Sequence, residues 1–220
     1  MSDDPRLALV EICHLLAARS FTTATGGNVS VRLPDDSFWV TPSALHKGRV
    51  GVEDLVRIDS AGAILAGARK PSSETFMHLM AYQALPQMGA VIHAHPPYAT
   101  GFTQAGKTLD TSSSSEAIAI LGRAVPLIPY APPSSTELAE LVGRSMQPLQ
   151  KAYMMAHHGV LTWGRDLWDA YDILDTMELF AQSLAVSILA GGAVPLPDHE
   201  QRWLEQKHRE IMGGKPAAGE

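Results

Sequence analysis

The chain has 220 residues, 45% of them hydrophobic and 18% charged, and a formal net charge of −6, which is typical of a folded globular protein with one sizeable core. Its 17 Lys and Arg residues form no basic run, which argues against nucleic-acid binding through phosphate charge. No apolar run approaches the ~20 residues of a membrane span, and the acidic start MSDDPRLA lacks a signal-peptide pattern. The single cysteine, Cys13, allows no intrachain disulfide and lies in an apolar helical pattern, which favours a cytoplasmic protein with an inert core thiol.

A helix and two hairpins are predicted for the first part of the chain. Asp4 and Pro5 begin a helix that reaches about residue 19, because Asp favours the N-cap and Pro the first turn. Alternating residues separated by turns predict two pairs of strands: 29–33 with 37–41, and 55–59 with 63–67. Ser72 or Ser73 caps a second helix that runs to about residue 84, so that Glu74 lies in its first turn.

Strands and helices are mixed in the rest of the chain. Apolar runs predict four strands: 89–95, 124–130, 152–158 and 160–163. Prolines, caps and helical periodicity predict four helices: 96–106, 135–146, 166–190 and 198–212. This order favours a largely antiparallel or mixed sheet with helices packed on it. We expect one domain over 1–214 and a flexible tail over 215–220.

Two pairs of histidines each end an apolar segment. His93 and His95 end GAVIHAH, and alternate residues of a strand share one face. His157 and His158 end AYMMAHH, and the following glycine would let the backbone turn and aim the ring of His158. Each imidazole is either a hydrogen-bonded core group or a metal ligand. Three imidazoles, from His93, His95 and His158, would leave an open position on a catalytic metal. Zn²⁺, Fe, Co and Ni suit such ligands, and Mn is less favoured.

Polar residues near Glu74 form a candidate anion pocket. Glu74 itself is either a carboxylate favoured by the helix dipole or a base beside a metal. Ser72 and Ser73 are either N-caps or hydroxyls that bind phosphate next to free backbone amides. The loop TGGNVS adds Gly27, which lets the backbone approach an anion, and Asn28, which offers a side-chain amide.

The segment TPSALHKG follows the second predicted strand. Its hydroxyl side chains, Thr41 and Ser43, extend the candidate anion pocket. Lys47 in the same segment is expected to be a solvated surface lysine.

Six motifs follow one another along the chain: TGGNVSVR, VTPSALHKG, KPSSETFMH, VIHAHPPYATGF, VPLIPYAPPSSTELAE and AHHGVLTWG. In this order and spacing they resemble the class II aldolase/adducin family, over about residues 4–192. Within that family the pattern is most similar to the L-fuculose-1-phosphate aldolase branch. The resemblance implies a three-layer α/β/α fold around a central, mainly antiparallel sheet. It also implies a homotetramer with active sites between neighbouring subunits.

The resemblance further implies a reaction and its residues. The reaction is reversible cleavage of a ketose 1-phosphate, such as a fuculose, 5-deoxyribulose or methylthioribulose phosphate, to dihydroxyacetone phosphate and an aldehyde. One divalent metal per subunit, Zn²⁺ first and otherwise Mn, Co, Fe or Ni, is held by four residues: His93, His95, His158 and Glu74. Glu74 is also the catalytic carboxylate. The sugar phosphate is bound by six residues: Gly27, Asn28, Thr41, Ser43, Ser72 and Ser73.

The proton-donating acid departs from the family pattern. Fuculose-phosphate aldolases supply a tyrosine from a neighbouring subunit, whereas the corresponding segment here, SSSSEAIAILG, contains Glu116 and no tyrosine. Glu116 and Tyr130 are therefore candidates for the acid, with Tyr98 as a third. Ala44 replaces the usual glycine of the TPS motif. The alternatives within the family are a metal-dependent dehydratase, decarboxylase or epimerase, and outside the enzymes a non-catalytic adducin-like scaffold.

Overall fold

The computed structural model describes residues 4–213, so the predicted tail over 215–220 lies outside the described residues. The helices are α1 (Pro5–Ala18), α2 (Thr75–Ala84), α3 (Pro97–Gln104), α4 (Ser115–Leu121), α5 (Thr136–Ser145), α6 (Leu167–Leu189) and α7 (Asp198–Met212). The strands are β1 (Asn28–Arg32), β2 (Phe38–Val40), β3 (Val56–Ile58), β4 (Ile64–Ala66), β5 (Ala90–Ala94), β6 (Leu109–Asp110), β7 (Ala124–Val125), β8 (Leu127–Ile128), β9 (Ala152–Met155) and β10 (Gly159–Gly164). Within residues 4–213, no helix is long and apolar enough to cross a membrane.

Eight of these strands form one sheet in the order β4-β3-β2-β1-β5-β10-β9-β8. Neighbouring strands are antiparallel except for the last pair, β9 and β8. Helices cover both faces, with α1, α3 and α6 on one and α2 and α5 on the other. The structure therefore confirms the predicted α/β/α fold around a mainly antiparallel sheet.

Alternation along β5 assigns its side chains to the two cores. Ile92 packs into the core beneath α1 and α6, whereas Val91 packs into the core beneath α2 and α5. His93 shares the face of Val91 because residues i and i+2 of a strand point the same way. The imidazole of His93 is therefore directed toward the layer that contains α2.

Two of the predicted strands end earlier than the apolar runs suggest. The run 124–130 is interrupted at Pro126, which cannot donate to a ladder, and its two halves pair with different strands. The run 152–158 ends as a strand at Met155. His157 and His158 lie in the turn to β10, and His157 has the left-handed φ of 57°. The second histidine pair is thus part of a tight turn rather than of a strand.

Candidate metal centre

Three histidine nitrogens and a carboxylate meet at one end of the central strands. The Nε2 atoms of His93 and His95 are 3.0 Å apart. The carboxylate of Glu74 touches both sides of the group, with Oε2 3.3 Å from Nε2 of His93 and Oε1 3.2 Å from Nε2 of His158. Possible ligand atoms of the three histidines all lie within 4.8 Å of one another.

Three of the contacts have the spacing expected between neighbouring ligands of a tetrahedral metal ion. Ligands ~2.0–2.1 Å from a tetrahedral zinc lie about 3.3 Å from one another. The measured contacts of 3.0, 3.2 and 3.3 Å fall close to that value. Three imidazoles and a carboxylate also form a donor set that Zn²⁺ and related divalent ions accept. The residues present therefore fit a divalent metal.

A backbone contact determines which nitrogen of His93 faces the centre. Nδ1 of His93 lies 2.8 Å from the carbonyl oxygen of Val160 on β10. Nδ1 must carry the proton and donate it there, because a carbonyl oxygen only accepts. Nε2 then keeps its lone pair, which is the arrangement that orients a metal-ligating histidine.

Gly159 is required at the centre by close packing. A Cβ atom at this position would lie 2.5 Å from Cδ2 of His95 and 2.5 Å from the carbonyl oxygen of Ala94. The positive φ in this turn belongs to His157 and not to the glycine. The expectation that Gly159 bends the chain is therefore wrong, and its function is to leave room for the ring of His95.

Glu74 is the N-cap residue of α2. The prediction that it lies in the first turn of this helix is therefore wrong. The side chain of Glu74 makes no capping hydrogen bond, and neither Ser72 nor Ser73 is the cap. The carboxylate instead accepts a 2.9 Å hydrogen bond from Nδ2 of Asn28. Asn28 lies directly opposite His93 in the β1–β5 ladder, which explains how two distant segments meet on the same carboxylate.

Burial and charge shift the pKa values of the centre in opposite directions. Burial lowers the pKa of His93 below its ordinary value, although the Glu74 carboxylate opposes this effect. Burial also lowers the pKa of His95. The pKa of Glu74 would rise through burial, but the proximity of His93 and His158 and the hydrogen bond from Asn28 lower it overall. His93 and His95 are therefore favoured as neutral imidazoles and Glu74 as an ionised carboxylate, which are the states that bind metal.

A cavity of about 330 Å³ opens in front of these ligands. Its lining includes five of the six residues that were expected to bind phosphate: Gly27, Asn28, Ser43, Ser72 and Ser73. It also includes the metal-centre residues Glu74, His95 and His158. The remaining residue, Thr41, is fully buried, and its Oγ1 accepts a hydrogen bond from the backbone N–H of Val29. Thr41 therefore braces the sheet and does not line the cavity.

Comparison with known proteins identifies the family. The model of the family described as "Class II Aldolase and Adducin N-terminal domain" matches residues 7–184. The chain belongs to this family. The matched residues include every residue of the metal centre and of the cavity wall described above.

Relatives of the chain within the class II aldolase and adducin family carry several different names. An L-fuculose phosphate aldolase from Methanococcus maripaludis is 33% identical over 79% of this chain and 92% of its own length. A 3-oxo-tetronate 4-phosphate decarboxylase from Haemophilus influenzae is 35% identical over 77% of this chain and 81% of its own length. A methylthioribulose-1-phosphate dehydratase from Serratia proteamaculans is 29% identical over 83% of this chain and 95% of its own length. Membership of the family therefore leaves the reaction open.

A solved structure of this family has the same fold. An L-fuculose 1-phosphate aldolase matches 96% of this chain and 98% of its own, with a TM-score of 0.84 and 30% identity. Class II aldolases depend on a metal ion, and His93, His95 and His158 form a group that could hold one in this family member.

Lys47 differs from its expected surface position. It is 1% exposed, and Nζ donates to the carbonyl oxygens of Thr25 and Leu45 at 3.2 and 3.1 Å. Burial lowers its pKa. The expectation of a solvated lysine is wrong, because the ammonium group is buried and hydrogen-bonded to the backbone of Thr25, a residue that lines the cavity.

Two further features of the wall were not recognised in the sequence. Ser134 lines the cavity, and its Oγ donates a 2.9 Å hydrogen bond to Oγ of Ser73. Ser134 and Ala44 both have left-handed φ values, of 62° and 57°. For Ala44 the sequence contains a signal of the left-handed backbone, because the family motif has glycine at this position and glycine adopts positive φ values readily. For Ser134 the only signal was its place in APPSS, where a helix cap is the ordinary interpretation of serine.

The three candidates for the acid do not line this cavity. Glu116 lines a different cavity of about 370 Å³, with Asp175 and Ser183 of α6. Tyr130 is 56% exposed, and its ring centre is 6.2 Å from that of His157. Tyr98 is 41% exposed on α3. Within residues 4–213, none of the three candidate acids therefore lines the cavity at the metal centre.

Proposed function

We propose that this protein is a metal-dependent aldolase that reversibly cleaves a ketose 1-phosphate to dihydroxyacetone phosphate and an aldehyde. The observation that carries the proposal is the convergence of three imidazoles and the Glu74 carboxylate at a cavity lined by serine hydroxyls and glycine-rich backbone. The substrate is of the fuculose, 5-deoxyribulose or methylthioribulose phosphate type.

One divalent metal per subunit, Zn²⁺ first, would be held by His93, His95, His158 and Glu74. The bound metal supplies Lewis-acid stabilisation of the negative charge that develops beside the ketone when the carbon–carbon bond breaks. Mn, Co, Fe and Ni are the alternatives that the same ligands accept. The hydrogen bond from His93 to Val160 keeps one ligand lone pair aimed at the centre.

Glu74 moves the proton at the nucleophilic carbon. The low pKa of its carboxyl group favours the ionised form, and the carboxylate makes no capping hydrogen bond to α2. It can therefore accept a proton from that carbon or return it. Asn28 orients the carboxylate through Oε2. In cleavage, the hydroxyl group that becomes the aldehyde oxygen loses a proton, Glu74 takes up one proton and delivers it to the nucleophilic carbon. In the reverse addition, the Glu74 carboxylate removes the proton from that carbon and the new hydroxyl group gains one.

The hydroxyl side of the cavity binds the phosphate group. Ser43, Ser72 and Ser73 provide hydroxyls, and the loop of Gly27 and Asn28 provides amide groups, all on the lining of the same cavity. This binding is remote from the bond that breaks, so its energy positions the reacting carbons. Thr41 contributes only by supporting β1.

We infer a homotetramer whose active sites lie between subunits. None of the candidate acids lines the cavity of its own subunit, so Glu116 or Tyr130 would act in a neighbouring subunit's site. Helix α6 supports such an interface through four exposed apolar side chains: Leu179, Val186, Ile188 and Leu189.

A second candidate is a dehydratase of a ketose 1-phosphate. It is favoured by the replacement of the aldolase tyrosine with Glu116 and by the relative that is named a methylthioribulose-1-phosphate dehydratase. Loss of water begins with the same removal of a proton beside the metal-stabilised ketone, so the metal centre and Glu74 serve either reaction. A decarboxylase is supported by the name of one relative alone, and no residue described above favours an epimerase. A non-catalytic scaffold would not need four converging ligands.

The deciding experiment incubates metal-replete protein with five ketose 1-phosphates and identifies the products. The panel is L-fuculose, L-rhamnulose, ribulose, 5-deoxyribulose and methylthioribulose phosphate. Release of dihydroxyacetone phosphate supports the aldolase, and formation of a product that has lost one water supports the dehydratase. Glu74→Gln should reduce the rate by about 10²–10⁴-fold, whereas Glu137→Gln, an exposed glutamate at the start of α5, should leave it unchanged. Turnover of no panel member by folded, metal-loaded protein would refute the proposal.

A further inference from the structure

Glu178 is a buried carboxylate that lies outside the cavity. It belongs to α6 and is 5% exposed. Its Oε1 accepts a hydrogen bond from the backbone N–H of Tyr98 at 2.9 Å, and its Oε2 accepts one from the N–H of Ala99 at 2.8 Å. Burial raises the pKa of Glu178, and these two hydrogen bonds oppose the effect. A carboxylate from one helix therefore caps the first turn of another, α3.

The sequence at the start of α3 explains why a distant carboxylate is needed. The N-cap residue is Pro96, which has no side-chain hydrogen bond to offer. Pro96 and Pro97 have no backbone N–H, so Tyr98 and Ala99 carry the first free donors of the helix. An uncapped helix start in a buried position costs stability. Glu178 meets both of these donors at once.

Helix α3 is joined to both segments that carry the metal ligands, to one through the chain and to the other through a hydrogen bond. Its N-cap, Pro96, directly follows His95 in the chain. At its other end, the carbonyl oxygen of Thr103 accepts a hydrogen bond from the backbone N–H of His157, the neighbour of His158. A shift of α3 would thus move the backbone on both sides of the centre.

We propose that Glu178 is a positioning residue of the metal centre, acting through α3 on His95 and on the turn of His157 and His158. The inference rests on the proposed metal centre and extends it to a residue that touches neither metal nor substrate. Glu178 holds the start of α3 in place, α3 holds the two ligand-bearing segments at their mutual distance, and the preformed spacing gives the centre its affinity. Partners beyond the ligands of a metal site commonly change its affinity by about 10–100-fold.

The test measures Zn²⁺ affinity of the metal-free protein by competition with a chelator of known affinity. Glu178→Gln keeps the size of the side chain but replaces one accepting oxygen with an NH₂ group, which cannot accept from the amide. We expect affinity to fall about tenfold, at the lower end of the range for such partners. The matched control is Asp166→Asn, which makes the same carboxylate-to-amide change at the N-cap of α6. Strand β10 has Gly159 at the end that lies against the metal centre and Gly164 at the other end, and Asp166 follows Gly164. The Asp166→Asn change is therefore at the far end of the strand, and Zn²⁺ affinity should not change.

A rescue variant separates positioning from loss of stability. In the double variant Pro96→Ser, Glu178→Gln, serine at the N-cap can accept from the N–H groups of the second and third helical residues, Tyr98 and Ala99. We expect Zn²⁺ affinity to return to that of Pro96→Ser alone. Unchanged affinity in Glu178→Gln, an equal loss in Asp166→Asn, or failure of the rescue would overturn the inference. If the unaltered protein binds no Zn²⁺, the proposed metal centre itself is wrong, so the two failures are distinguishable.

Discussion

Asn28 and Glu74 are 46 residues apart in the chain, and Nδ2 of Asn28 donates a 2.9 Å hydrogen bond to Oε2 of Glu74. The same oxygen lies 3.3 Å from Nε2 of His93, the residue opposite Asn28 in the ladder. One atom of the carboxylate is thus held by an amide and directed at a ligand nitrogen. Asn28 also lines the cavity, so it links the anion-binding loop to the metal centre.

Removing the amide of Asn28 should impair turnover more than metal binding. In Asn28→Ala the carboxylate loses a hydrogen bond to a charged group, worth about 1.5–3 kcal/mol, and kcat should fall about 10–100-fold. Metal content, measured after dialysis, should be retained because the three imidazoles remain. Ser43→Ala, on the same cavity wall, should instead mainly raise KM, because Ser72 and Ser73 remain to position the phosphate. Loss of the metal from Asn28→Ala would contradict this assignment.

A methyl group at position 159 should damage the centre. The added Cβ of Gly159→Ala would meet His95 and the Ala94 carbonyl at 2.5 Å, which should cost about 1–3 kcal/mol of unfolding free energy and weaken Zn²⁺ binding. Gly101→Ala is the control, because nothing lies within 4 Å of a Cβ at this position in α3. It should stabilise the protein by about 0.5–1 kcal/mol. Equal effects of the two alanines, measured by denaturant unfolding, would argue against close packing at His95.

Metal binding should stabilise the native state. A metal that binds only the folded protein raises the free energy of unfolding by about 2.7 kcal/mol at a free concentration of 100 Kd. We expect a chelator to lower the melting temperature and added Zn²⁺ to restore it. His93→Ala should abolish the response, whereas His199→Ala, at a highly exposed histidine on α7, should retain it. A full response in His93→Ala would exclude that residue as a ligand.

Stability should depend on pH through His78, which lies one turn beyond Glu74 on α2. Desolvation lowers the pKa of His78 from 6.5 to about 4, although the Glu74 carboxylate opposes the shift, and Ser30 contacts its Nδ1 at 2.7 Å. The unfolded chain binds this proton more readily than the folded protein. The stability contributed by neutral His78 is therefore fully present above pH 6.5 and is lost as the pH falls toward 4, by up to about 3 kcal/mol.

The check on His78 compares metal-free protein with His78→Gln between pH 4 and 6.5 by chemical denaturation. The free energy of unfolding of the unaltered protein should rise more steeply with pH than that of the variant. Identical slopes would mean that another group controls acid stability in this range.

Local sequence patterns predicted most helices correctly and missed where some polar groups lie. The helix over 198–212 matches α7 exactly, because caps and amphipathic periodicity are properties of neighbouring residues. The sequence predicts a surface position for Lys47 because lysine is seldom buried, yet the side chain is buried and its ammonium group donates to the carbonyls of Thr25 and Leu45. The run 124–130 appeared continuous because pairing partners are not visible in one segment.

The sequence by itself determined the family resemblance, the alternation of strands and helices, and the residue types able to bind a metal and an anion. These depend on composition and short-range spacing, which the chain carries without folding. Only the tertiary structure decided that Thr41 lies beneath the cavity, that Glu116 faces a different one, and that Glu178 caps the helix between the histidines. Each of these depends on strand register and helix packing, which bring together residues that are distant in sequence and that no local pattern can relate.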